Sequence, residues 1–198
     1  MANALALFDF DGTLTTKDSL GDFILFAFGK PKTVIGGILL SPTLAGYALG
    51  LMDNGTAKQQ VLKYFFGGMS VEIMRELGQQ YAKQRLPKIL RPAGLEKLKW
   101  HQQQGHKIVI VSASTEYWLK PWTDSMGFDL LATQLDTKDQ KLTGCYAGEN
   151  CHGEEKVRRI KSVYDLNQFD EIYAYGDTSG DKPMLALAHH GFYKPFHE

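Results

Sequence analysis

Leu5-Ala6-Leu7-Phe8 is a short apolar run that gives way at once to Asp9, Asp11 and Gly12. That pattern predicts a buried parallel strand whose carboxyl end opens into a polar site. Lys107-Ile108-Val109-Ile110-Val111 repeats the design and ends in Ser112, and Glu171-Ile172-Tyr173-Ala174-Tyr175 ends in Gly176-Asp177. Gly191-Phe192-Tyr193 reads as a last short strand. Helical spacing recurs between these runs: Leu95, Leu98 and Trp100 precede the second, and Val157, Ile160, Val163 and Tyr164 precede the third. Strands alternating with helices predict an α/β fold with a doubly wound parallel sheet. In such sheets ligands collect beyond the carboxyl ends of the strands, where these polar residues fall.

The stretch between the first and second strands far exceeds the ~2–6 residues of an ordinary connection, so a separate element must be inserted there. Leu20, Phe23, Ile24, Ala27 and Phe28 share one helical face, and Val71, Met74, Leu77 and Tyr81 share another, which predicts an all-helical insertion. Thr56 and Ser70 are the expected N-caps, and Leu135 to Tyr146 reads as a small hairpin. Thr33 to Met52 carries no charged residue and is bracketed by Lys32 and Asp53. That length can just span a bilayer. Ser41-Pro42-Thr43 and the glycines at 36, 37, 46 and 50 break it, however, and predict two short helices around a turn, buried in the insertion or lying at an interface.

Composition narrows the function classes. The 198-residue chain suits one catalytic domain with a modest insertion, and its 22 basic and 22 acidic residues create no net field for nucleic acid. Two cysteines, Cys145 and Cys151, and no signal-peptide pattern at Met1-Ala2-Asn3-Ala4 suit a reducing cytoplasm and exclude a metal site built on sulfur.

Asp9 and Asp11, two apart at a strand end, are expected to face one side and converge on a common point, where a hard cation such as Mg²⁺ would relieve their repulsion. On this pair alone, a solvated strand end or a helix cap explains the residues equally well. Asp177 and Asp181 add a second acidic cluster at another strand end; Asp181 also stands as a candidate N-cap ahead of Pro183. With Ser112 on a third strand end, the missing element of a phosphate site is a cation, and Lys156 is the candidate. His189, His190 and His197 read as surface residues, and Tyr117, Trp118 and Trp122 as core or site rim.

Together these residues resemble the haloacid dehalogenase superfamily, in particular its phosphoserine-phosphatase-like branch. Phe8 to Thr15 matches the first motif, Ile110 to Ser114 the second, Lys156 with Cys151-His152-Gly153 the third, and Gly176 to Leu185 the fourth. The resemblance implies a Rossmann-like core over residues 1–16 and 90–198 and a helical cap over 17–89. It implies Mg²⁺-dependent phosphatase chemistry on a small phosphorylated substrate, with Asp9 as nucleophile and Asp11 as general acid. Ser112 and Lys156 would hold the phosphoryl group, helped by backbone N–H groups around Phe10, Gly12 and Ala113. Asp9, the Asp11 carbonyl, Asp177 and Asp181 would hold the metal, Asp181 directly or through water. Asp11 also argues against dehalogenation, since a halide leaving group needs no proton.

For the substrate, Asp18 stands where phosphoserine phosphatases carry a glutamate that grips the substrate amine, and it serves equally well as a helix N-cap; Arg75 or Arg85 would hold a carboxylate. The apolar early cap is also similar to that of bacterial phosphatidylglycerophosphate phosphatases, which implies a lipid substrate and membrane-surface contact through residues 33–52. A non-catalytic phosphate-binding module is the alternative from another class.

Overall fold

The structure is a computed structural model that describes residues 3–197. Four parallel ladders join five strands in the order β3-β2-β1-β6-β7: β1 (Ala4–Phe8), β2 (Lys107–Thr115), β3 (Asp129–Thr133), β6 (Glu171–Gly176) and β7 (His190–Tyr193). Alternation along the central strands serves two cores. Ala6, Phe8, Ile108, Ile110 and Tyr175 pack on one face, while Leu5, Leu7, Val109, Val111, Ile172 and Ala174 pack on the other. Apolar residues on both faces are why these strands read as unbroken hydrophobic runs. Helices α5 (Pro92–Gln103), α6 (Glu116–Met126), α7 (Glu154–Val163) and α8 (Lys182–Ala186) complete the Rossmann-like α/β core.

The insertion between β1 and β2 is helical: α1 (Ser19–Leu39), α2 (Ser41–Ala48), α3 (Asn54–Phe66) and α4 (Val71–Gln84). Phe23, Phe66 and Tyr81 of this cap share the first core with Trp118 of α6, Phe23 and Trp118 stacking 4.7 Å apart. Ser70 caps α4 as expected, its hydroxyl accepting from the Glu72 N–H. At α3 the cap is Asp53, whose carboxylate accepts from the Thr56 N–H, and not Thr56 itself. The ionised side chain is the stronger acceptor, and it places the start of the helix one turn earlier.

The charge-free segment departs from the expectation of burial. Helix α1 breaks at Gly29, which takes φ 72°, ahead of Pro31, and α2 begins at Ser41 with Pro42 in its first turn. Of residues 33–52 only Gly36 is buried, against Phe65, where a Cβ would collide with the ring. Val34, Ile35, Ile38, Leu39, Leu44, Tyr47, Leu49 and Leu51 make up eight of the fourteen large exposed hydrophobic side chains among the described residues. No single described helix is long and apolar enough to cross a membrane; α1 and α2 reach that hydropathy only as a pair bent by 60°.

Strands β4 (Leu135–Lys138) and β5 (Lys141–Tyr146) form the expected hairpin, which pins the cap to the core. The N–H groups of Gly68 and Val71 donate to the carbonyls of Leu142 and Gln140, and the Tyr146 hydroxyl donates to the Gly55 carbonyl. On the other flank, Gly78 of α4 lies against the backbone of Tyr117, with no room for a Cβ beside that carbonyl. Gly78→Ala should therefore lower the unfolding free energy by ~1–3 kcal/mol through overpacking. Chemical denaturation would read this, and an unchanged or higher midpoint would show that the cap does not need this close approach.

Candidate active site

The carboxyl ends of β1, β2 and β6 bring Asp9, Ser112 and Asp177 together, and α7 adds Lys156 from the side. Lys156 is 1 % exposed, and its ammonium donates to three acceptors: Asp9 Oδ1 at 2.6 Å, Asp181 Oδ1 at 2.7 Å and the Val111 carbonyl at 2.8 Å. A lysine has three N–H donors, so this one is saturated. Burial opposes its charge, yet Asp9 and Asp181 hold its pKa above the ordinary lysine range. Burial pushes Asp9 up to about 7 even with Lys156 beside it, whereas Asp181 stays below the usual carboxylate range because Lys156 and Thr178 outweigh its burial.

Asp9, Asp177 and Asp181 each offer a carboxylate oxygen within 4.8 Å of the others, an all-oxygen donor set that fits a hard divalent cation. Asp181 is the least free of the three. Its Oδ1 meets Lys156, and its Oδ2 accepts from the N–H groups of Asp177 and Thr178 and from the Thr178 hydroxyl. Its side chain does not cap α8, although it stands at the N-cap position. Gly12 makes the cluster compact: it takes φ 84°, and a Cβ there would strike the Asp177 carboxylate.

The expected convergence of Asp9 and Asp11 is not what forms. The strand ends at Phe8, so the side-by-side rule for strand residues does not extend to Asp11 in the following turn. Asp11 turns its carboxylate away from the acidic cluster. Oδ1 accepts from the Ser19 N–H at 2.6 Å and Oδ2 from the Ser114 hydroxyl at 2.5 Å. Burial and then the charge of Asp18 raise its pKa, against hydrogen bonds from Ser114 and Ser19 and the charge of Lys58. As a metal ligand Asp11 therefore has no side-chain part in the cluster, which leaves only the expected role for its carbonyl.

Donor chemistry fixes the direction of a buried chain behind Asp11. The Trp118 indole can only donate, and it gives its N–H to Ser19 Oγ at 2.9 Å. Ser19 Oγ lies 3.1 Å from Ser114 Oγ, so the protons run from Trp118 to Ser19 to Ser114 and on to Asp11. Ser114 in turn gives its backbone N–H to Ser112 Oγ at 3.0 Å, which leaves the Ser112 proton free to donate into the site.

Other expectations resolve residue by residue. Asp18 caps α1, accepting from the Gly21 N–H at 3.0 Å, while its charge reaches Asp11. Arg85 is committed to Asp22 at 2.7 Å, and Arg75 lines a surface cleft with Gln79, Glu116, Tyr117, Lys120, Pro121 and Asp124; neither reaches the catalytic cluster. Phe10 is fully buried against Trp122, and Ala113 lies between Ser112 and Ser114 with its carbonyl accepting from Lys58 at 2.9 Å.

Three contributors were missed in the sequence. Thr13 shares its hydroxyl proton between Asp9 Oδ2 at 2.9 Å and Asp177 Oδ1 at 3.1 Å. His197 lies 3.8 Å from Asp177 Oδ2, and Lys58 enters from the cap. A lysine next to a cap-helix start was the only available sign of the last.

Lys156→Met should cost ~3–5 kcal/mol, the range for removing one partner of a buried ion pair. Without metal, Asp9 titrates near 7, above its ordinary 3.8, so the folded protein binds more protons than the unfolded chain between those values. Stability then falls as pH rises through 7. Loss of Lys156 raises Asp9 further, so the penalty should be larger at pH 8 than at pH 5.5 in a chelator. Equal destabilisation by urea titration at both pH values would refute the pairing.

Comparison with known proteins agrees with the fold. The haloacid dehalogenase-like hydrolase family model matches residues 6–186. Protein CicA of Caulobacter vibrioides is 35% identical over 194 residues, covering 97% of this chain and 86% of CicA. Among solved structures, a protein of unknown function from Bordetella pertussis Tohama I superposes with a TM-score of 0.82 at 22% identity, covering 95% of this chain and 88% of that one. A phospho-aspartyl intermediate analogue of phosphoserine phosphatase gives 0.67 at 19%, covering 98% and 86%. By its four motifs, its parallel core and the family match over nearly its whole length, the chain belongs to the haloacid dehalogenase-like hydrolases.

Proposed function

We propose that this protein is a Mg²⁺-dependent phosphomonoester hydrolase that works through an aspartyl-phosphate on Asp9. The observation that carries the reading is the division of labour between the two N-terminal aspartates. Asp9 faces Lys156 and the acidic cluster, while Asp11 stands apart on its own hydrogen-bond chain with a raised pKa.

In the first step an Asp9 oxygen attacks phosphorus, the ester P–O bond breaks, and the leaving oxygen takes a proton from Asp11. In the second, Asp11 takes a proton from water, the water oxygen attacks phosphorus, and the bond to Asp9 breaks to release inorganic phosphate. Ser112 donates its free proton to a phosphoryl oxygen. Lys156 acts through its charge, holding Asp9 in place and offsetting the negative charge that gathers there. Backbone N–H groups around Phe10, Gly12 and Ala113 complete the cradle. Asp9, Asp177 and the Asp11 carbonyl would hold Mg²⁺, with Asp181 acting through its bonds to neighbours, and the ion would neutralise phosphate charge and orient the group for in-line displacement. A module that only binds phosphate would have no use for a protonatable Asp11 on a dedicated chain.

The cap, residues 17–89, would select the substrate. The first reading is a small phosphorylated metabolite of phosphoserine type, with Asp18 near the leaving group, handled in the cytoplasm. A second reading is favoured by one observation: the exposed apolar surface of residues 34–51. A charge-free stretch over residues 33–52, bearing Ile38, Leu39, Leu44 and Tyr47 outward, suits insertion into the headgroup region of a bilayer and a lipid phosphate as substrate.

Two experiments test these readings. Asp9→Asn should reduce phosphate release from p-nitrophenyl phosphate by at least ~10³-fold in Mg²⁺, an effect of the size seen when a covalent nucleophile is lost; undiminished turnover would end the mechanism. Protein mixed with anionic liposomes should co-sediment, and replacing Ile38, Leu39 and Leu44 by serine should abolish it. Wild-type protein that stays in the supernatant would rule out the membrane reading.

A further inference from the structure

We infer that Lys58 of α3 is a specificity-determining residue that binds a second anionic group on the leaving-group side of the substrate. The inference rests on the phosphatase reading above and adds the chemical class of the substrate: a phosphate monoester whose leaving group carries its own negative charge near the ester oxygen.

The two lysines at the site differ in how their donors are used. Lys156 has three acceptors for three N–H bonds and nothing left to offer. Lys58 is half-buried and, among the described residues, has one acceptor, the Ala113 carbonyl at 2.9 Å. No carboxylate lies within 4.0 Å of its ammonium among those residues, although the charges of Asp11, Asp18 and Asp9 act on it. The Ala113 carbonyl that holds the ammonium lies between Ser112, which faces the phosphoryl group, and Ser114, which donates to Asp11, so Lys58 stands beside the segment that carries the partner of the general acid. Burial depresses its pKa, so the site holds a partly desolvated cation with unused donors. Such a group gains most from a charge-assisted hydrogen bond to an anion.

Its placement does not depend on the single bond to Ala113. Tyr146 anchors α3 twice, through its hydroxyl to the Gly55 carbonyl at 2.9 Å and through its backbone N–H to Gln59 Oε1 at 3.2 Å.

A carboxylate and a phosphodiester offer the same chemistry to Lys58, and the test separates them. 2-Phosphoglycerate and glycerol 2-phosphate differ only in a carboxylate against a hydroxymethyl group on the ester carbon; glycerophosphoglycerol phosphate carries a phosphodiester. Affinity would be measured by titration calorimetry on Asp9→Asn protein with Mg²⁺, where no turnover intervenes, and kcat/KM on the otherwise native enzyme. At least one of the anionic esters should exceed glycerol 2-phosphate by ~10-fold or more in both measurements, since a polar site discriminates strongly against an analogue lacking its partner. Lys58→Met should collapse that ratio to near one, and Lys58→Arg should restore much of it.

The preferred ester identifies the carboxylate or the phosphodiester as the source. Equal binding of all three esters, or a Lys58→Met loss that is the same for each, would overturn the inference and leave the phosphatase reading standing. A Lys58-dependent binding preference without phosphate release from any ester would do the reverse.

Discussion

The buried ammonium of Lys156 is the constraint around which the site is arranged. It reaches from α7 to the ends of β1 and β2 and to the loop after β6, through Asp9, Val111 and Asp181. Two carboxylates this close to one another in a buried place would raise each other's pKa and favour protonation. One cation between them keeps Asp181 ionised and draws Asp9 back towards ionisation, against burial that still leaves it near neutrality. The ion pairs therefore contribute registry more than net stability, since desolvating three charges offsets most of their attraction. With Lys156 fixed, Asp181 is fixed, and through its second oxygen so is the backbone of Asp177 and Thr178.

A second device, independent of the first, governs Asp11. The hydrogen-bond chain from Trp118 through Ser19 and Ser114 crosses from α6 in the core to the start of α1 in the cap. Cap position and the orientation of Asp11 are thus one variable: a shift of α1 would move Ser19, which supplies both a backbone and a hydroxyl link in that chain. Preorganisation of this kind holds two aspartates, two residues apart, in different protonation environments.

The core was legible because parallel strands buried on both faces write themselves as apolar runs ending in polar residues, and Asp9, Ser112 and Asp177 sit at three such ends. Asp11 was legible as a type but not as a direction, because the strand stops at Phe8 and the turn that follows is set by Gly12 and its contact with Asp177. Lys58 was marked in the local pattern only by its nearness to a helix start. Its place depends on α3 being carried over the site by a hairpin more than seventy residues away in sequence, a tertiary fact with no local signature. Asp53 outcompeted Thr56 as a cap for a simpler reason: a carboxylate is the better acceptor at a helix N-terminus.

The inserted helices divide into halves with opposite physical character. α3 and α4 are tied to the core by Tyr146, by the β5 pairing at Gly68 and Val71, and by Gly78 on Tyr117, and they present Lys58 inward. Beyond Gly29 most of the apolar side chains face outward, while Gly36 lies against Phe65 and Leu40 is partly buried on the core. Leaving apolar surface in water forgoes ~25 cal/mol per Å² that burial would return. Nothing in the packing of α3 or α4 requires that exposure, and Gly29 with Pro31 directs the segment away from the core. A polar cleft at Asp53 begins where the apolar segment ends, so one continuous stretch of chain passes from an oily surface to a polar one.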